Sequence, residues 1–120
     1  MGTLIISNLS KKIKIDVGGE ICNNIFSRAV GLMFRKNPTN LFFVFEEFDY
    51  HPIHSFFVNF KFDAIYLDKN LRVVEIFRNI AKDKTIFPKN KNSYLLELVP
   101  NITKKLKIAL GDKLKVVVKK

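Results

Sequence analysis

The chain has 120 residues, 48% of them hydrophobic, with 12 Phe, no Trp and a formal net charge of +10. That much apolar surface excludes intrinsic disorder, and no apolar run approaches the roughly 18 residues of a membrane-spanning helix. The size suits a single domain, 1–120, with one hydrophobic core, and the lone cysteine, Cys22, rules out an internal disulfide and agrees with a cytoplasmic location.

Lys12 to Val17 alternates polar and apolar, the period of a strand with one wet face, and Gly18-Gly19 then supplies a turn. A first hairpin is expected, with Glu20 to Cys22 returning. From Asn24 the apolar spacing changes to Ile25, Phe26, Ala29, Val30, Met33 and Phe34, which predicts one helix over about 24–36, ended by Asn37-Pro38. Gly31 falls inside it at a cost of about 1 kcal/mol relative to Ala, so close approach of a strand is the expected compensation.

Leu41 to Phe45 is an unbroken apolar run rich in β-formers and reads as a strand buried on both faces. Glu46 to Pro52 reads as a charged, aromatic loop, while Ser55 to Val58 and Phe62 to Leu67 read as strands. Asp68-Lys69-Asn70 is a hairpin turn into Leu71 to Phe77. Ala81 to Asn92 is a lysine-rich loop with a short strand at Thr85 to Phe87. Tyr94 to Val99 is a strand, Pro100 to Lys107 one or two helical turns, Gly111-Asp112 a turn, and Leu114 to Val118 the closing strand. About eight strands and one helix predict a mostly β, α+β fold: a compact antiparallel barrel or sandwich with the helix packed on one side.

Two segments carry a resemblance. Arg28-Ala-Val-Gly31-Leu-Met33-Phe-Arg35, followed by His54-Ser-Phe-Phe-Val-Asn59-Phe-Lys-Phe-Asp63-Ala-Ile-Tyr-Leu-Asp68, resembles the signature of the family known as domain of unknown function 192. Its members carry Arg-x-x-Gly-Leu-Met-x-Arg, a Phe-rich segment and an aliphatic strand bracketed by two aspartates. The resemblance runs from about Ile15 to Val118, implies a β-rich fold and brings no established activity. Val58 stands where related sequences commonly have Met, and Lys61-Phe62 where they commonly have a pair such as Pro-Ile.

Three groups of residues are candidates for function. Arg28 and Asp63 are expected to form an ion pair that docks the helix, because a carboxylate entering a Phe-flanked strand needs a partner and a guanidinium fork is the best one available. The functional alternative is an Arg that presents a carboxylate or phosphate site. Asp68 reads as a turn-former. Asp49, His51 and His54 are types that bind zinc-like ions, but Pro52 prevents a helical face from presenting them and an incidental grouping is expected. Among the many Phe residues, most must be core; Phe56, Phe60 and Tyr66 are the ones able to line an apolar pocket whose polar end is Arg28, Asn59 or Asp63.

The charge invites a nucleic-acid reading, but of 21 basic residues only Arg28, Arg35, Arg72 and Arg78 are arginine, and the lysines are spread along the chain. Sequence-specific readers favour Arg forks and exposed aromatics, so only weak nonspecific binding through the lysine-rich surface is expected. No nucleophile elbow, phosphate loop, dinucleotide fingerprint or zinc spacing is present, and no cofactor is expected. The leading expectation is a noncatalytic module holding a small ligand or a protein partner on the face built from the Arg28 helix and Phe56 to Asp63. An enzyme using Arg28, His54 and Asp63 is second, to be recognised by perturbed proton affinities around an open cleft. A nonspecific nucleic-acid binder is third.

Overall fold

In the computed structural model, which describes residues 3–24 and 31–119, the chain opens with a strand, β1 (Thr3–Asn8), in which every second residue is buried. Leu4, Ile6 and Asn8 point inward, the alternation a strand with one wet face requires. β1 pairs antiparallel with β2 (Ile13–Asp16) on one side and with β10 (Leu114–Lys119) on the other, giving a three-stranded sheet in the order β10-β1-β2. A five-stranded sheet in the order β3-β4-β9-β6-β7 is built from β3 (Glu20–Cys22), β4 (Leu41–Asp49), β6 (Phe62–Leu67), β7 (Val73–Ile80) and β9 (Asn92–Leu98). Two short strands, β5 (Ile53–His54) and β8 (Thr85–Ile86), pair with each other, and one helix, α1 (Pro100–Lys105), follows β9.

The five-stranded sheet is the middle layer. Phe42, Ile65, Leu67, Leu96 and Leu98 project from one face and meet Leu4, Ile6 and Leu114 of the small sheet, with Leu106 and Ile108 closing the end. Leu41, Phe43, Ala64, Tyr66 and Leu95 project from the other face, together with Cys22 and Ile80 at its edges, and pack with Leu32 and Val58. Burial on both sides explains why β6 is buried at every position and reads as an unbroken apolar run. Neither sheet closes on itself, so the fold is a mostly β sandwich-like globule with a single short helix among the described residues.

Several expectations change in detail. Gly18-Gly19 does not make a hairpin: β2 belongs to the small sheet, while β3 lies parallel to β4 in the large one. The glycines carry the chain between sheets, and Gly19 (φ +100) lies so close to Asn40 that a Cβ there would be 2.1 Å from its carbonyl oxygen. Asn40 completes this junction, donating from Nδ2 to the Val17 carbonyl (3.0 Å) and accepting from the Val99 N–H (2.9 Å). β4 continues through Glu46 to Asp49, where a loop is expected, and Ser55 to Val58 is a turn rather than a strand.

Of the expected helix at about 24–36, residues 25–30 lie outside the described residues, while Gly31 to Phe34 form turns and Arg35 and Lys36 are not helical. Gly31 (φ +47) nevertheless shows the anticipated close approach: a Cβ there would lie 3.3 Å from Phe43 Cζ of β4. The β6–β7 hairpin stands as expected. Asp68 forms its turn, accepting from the N–H groups of Asn70 (2.8 Å) and Arg72 (3.0 Å). Pro100 opens α1 at a position where no N–H is needed, and Lys104 and Lys105 lie in its last turn, favourable to its dipole.

Candidate functional site

The two segments that carry the family resemblance meet on the outer side of the second core. The Phe34 N–H donates to the Phe57 carbonyl (2.8 Å), and Asn59 Nδ2 donates to the Arg35 carbonyl (3.4 Å). Arg35 anchors the first segment, its guanidinium holding both carboxylate oxygens of Glu20 at 2.8 and 3.1 Å while Nε donates to the Gly31 carbonyl (3.0 Å). The hydrogen bonds to Arg35 hold the Glu20 carboxyl below its ordinary range. Ser55 anchors the second: it is fully buried, its N–H donates to the Lys84 carbonyl and its hydroxyl accepts from the Lys84 N–H, both at 2.8 Å.

Between these anchors the chain does something costly. Phe34 (φ +63) and Phe57 (φ +61) are both left-handed, a conformation that costs a bulky L-residue roughly 1–2 kcal/mol. Both are also exposed, at 66% and 53%, and their rings stack at a centroid distance of 4.8 Å. Positive φ recurs at Lys12, Leu71, Asn79, Asp83 and Lys107, so what sets this pair apart is that both residues are large exposed aromatics. Phe56 is exposed beside them and stacks on His54 at 5.2 Å. Val58, Asn59, Phe60 and Lys61, with Ala81 and Lys82, line an adjoining depression of about 300 Å³.

Among the sequence candidates, Phe56 and Asn59 therefore lie on this face. Tyr66 lies beneath it, fully buried, with its hydroxyl donating to the His51 carbonyl (2.7 Å) and its ring edge-on to Phe77. Asp63 leaves β6 at a bulge opposite β7 and accepts from the Asn79 N–H (2.8 Å), where Asn79 is left-handed (φ +50). It lines a different cleft, beside α1. Arg28 lies outside the described residues, so its pairing with Asp63 is not seen. Asp49, His51 and His54 have separate engagements: Asp49 accepts from the Tyr50 N–H, His51 Nδ1 pairs with Asn92 Oδ1 (2.7 Å), and His54 Nδ1 accepts from the Phe56 N–H. Among the described residues no three His, Cys, Asp or Glu side chains gather at metal-binding distance.

Glu97 is the residue that sequence reasoning misses. It faces the second core from β9 and is 4% exposed. Burial pushes its carboxyl up to about 8, so at neutral pH it is largely protonated, a hydrogen-bond donor rather than a base. Its Oε1 would lie 3.9 Å from a Cβ at Gly31. The signal was available: Tyr94-Leu-Leu-Glu-Leu-Val99 is an apolar strand with one acid in it. Burial, with Glu97 adding to it, drives the Cys22 thiol up to about 12 and the Tyr66 phenol well above its ordinary range. Cys22 is thus an inert core thiol. These displaced groups lie buried under the aromatic face, not around an opening that holds His54 and Asp63.

Comparison with other proteins agrees with the motif segments. The chain is 33% identical over 111 residues to a UPF0127 protein of Pyrococcus abyssi, covering 91% of this chain and 94% of the relative. It is 32% identical over 113 residues to a UPF0127 protein of Pyrococcus horikoshii, covering 92% and 97%. The fold is similar to a crystal structure from Sinorhizobium meliloti 1021 whose name proposes transcription regulation (TM-score 0.83, 20% identity, 97% and 94% covered). It is also similar to a protein of unknown function from Novosphingobium aromaticivorans (TM-score 0.81, 19% identity, 94% and 83% covered). Residues 6–116 match DUF192, described as an uncharacterized ACR, and with the motif segments, the UPF0127 relatives and the fold in agreement, the chain belongs to that family.

Proposed function

We propose that the protein is a noncatalytic binding module that holds a flat, apolar small molecule with an acidic end on the face where the 31–35 and 55–61 segments meet. The observation that carries this reading is the stacked Phe34–Phe57 pair, strained in backbone yet exposed. A ligand ring laid on this pair would recover the apolar burial that both rings forgo, worth about 25 cal/mol per Å² covered. Lys61 and Lys82, at the edge of the adjoining depression, would face the ligand's carboxylate, and the Asn59 amide lies between the two regions.

Two features favour binding over catalysis. The carboxyl with the largest upward displacement, Glu97, is sealed in the core, and the only cysteine is buried beside it. The test is native mass spectrometry of protein purified under mild conditions, compared with F57G. A noncovalent mass carried by the parent chain and lost from the variant supports the reading; one carried equally by both contradicts it.

A further inference from the structure

On the side of the large sheet occupied by the first core, a second concavity of about 520 Å³ opens between the bulged end of β6–β7 and α1. Its wall is assembled from three separate parts of the chain, supplying Asp63, Arg78 and Asn79, and then Thr103, Lys104 and Lys107. Three of these side chains are cations. None of them is paired with a carboxylate among the described residues, where the ion pairs are Lys11–Asp112 and Glu20–Arg35. Arg78 is exposed, with one of its guanidinium nitrogens donating to the Ile108 carbonyl (3.3 Å) across the cleft wall.

The single acid in the wall, Asp63, already accepts from the Asn79 N–H, so it is committed to the bulge. Thr103 supplies the other unusual group: the residue is 1% exposed, and its hydroxyl oxygen has no partner among the described residues. A buried hydroxyl without a partner is unfavourable, and a ligand oxygen reaching the Thr103 wall would supply one. Lysines dispersed over a +10 chain are no site by themselves; here one of four arginines, two lysines and an unsatisfied hydroxyl converge on a hollow of small-ligand size.

We propose that this cleft binds a phosphorylated small molecule of about nucleoside-monophosphate size, its phosphate held by Arg78, Lys104 and Lys107 and its remainder placed against Asn79 and the Thr103 wall. A guanidinium and two ammonium groups around one hollow suit a dianionic phosphate better than a single carboxylate. The site is separate from the aromatic face, which covers the opposite core.

The test is a titration of the full chain with AMP, and separately with inorganic phosphate, followed by ¹H–¹⁵N NMR. AMP is expected to move amides at 63, 78–79 and 101–108, and phosphate alone to move a subset of them more weakly. The R78A/K104A double variant should lose at least tenfold in AMP affinity, while K14A/K115A, which removes the same charge from the small sheet, should not. T103V should bind AMP several-fold more weakly while melting at the same temperature as the parent or above it. Absence of these shifts, equal losses in the two double variants, or a single-stranded oligonucleotide binding the whole lysine surface while AMP does not, would each overturn the proposal.

Discussion

Phe57 and Glu97 each carry a local cost, a left-handed backbone at an aromatic residue and a buried carboxyl, and each cost makes a measurable demand. At Phe57 the cost is conformational, so glycine, which takes positive φ freely, relieves it. F57G forfeits an exposed stacking contact worth about 0.5–1.5 kcal/mol and recovers a similar amount of backbone strain. Its stability by urea unfolding should therefore stay within about 1 kcal/mol of the parent, against the roughly 3–5 kcal/mol lost when a buried Phe is truncated. At Glu97 the cost is electrostatic. The folded carboxyl titrates near 8 instead of its ordinary 4.5, so between those values the folded state binds more protons than the unfolded one. Stability contributed at low pH is then lost as pH rises through that window, amounting to a few kcal/mol on the alkaline side. Urea midpoints at about pH 5 and about pH 9 should differ accordingly in the parent, and E97Q, which is neutral throughout, should flatten the slope. An unchanged slope in E97Q would show that another group is responsible.

Elements that announce themselves through period or turn chemistry were legible in the sequence, and those decided by a distant neighbour were not. The β6–β7 hairpin follows from Asp68 and two apolar runs, and β9, α1 and β10 follow from similar local cues. β1 is not legible because Leu4-Ile5-Ile6 gives too short a pattern by itself; its alternation is enforced by β10, from the far end of the chain. The missed crossing at Gly18-Gly19 has the same origin, since only the Asn40 backbone distinguishes it from an ordinary turn. A matched pair of substitutions separates the two effects. G18A meets no atom within 4 Å and should cost only the backbone penalty, about 1 kcal/mol, whereas G19A must displace the Asn40 carbonyl and should cost more than about 3 kcal/mol in urea unfolding. Equal costs would mean that the Asn40 junction gives way easily.

For the molecule as a whole, the sheet buried on both faces explains how 12 Phe residues distribute. Phe42, Phe43 and Phe62 fill its two cores, and the remainder that cannot be buried includes the Phe34, Phe56 and Phe57 face. Of the residues the sequence offers as candidates, Phe56 and Asn59 lie on that face; its geometry was not legible, because nothing in Ser55-Phe-Phe-Val58 distinguishes a strand from a turn with a left-handed Phe. Glu97, beneath it, could be read only as a lone acid in an apolar run. The central claim, a small acidic aromatic ligand on the Phe34–Phe57 face, is tested most directly by titrating the chain with 2-naphthoate and following ¹H–¹⁵N NMR shifts. Saturable one-to-one shifts confined to residues 31–35, 55–61 and 81–82, and lost in F57G, are the predicted result. Shifts spread over the lysine surface, or the same shifts in F57G, would contradict it.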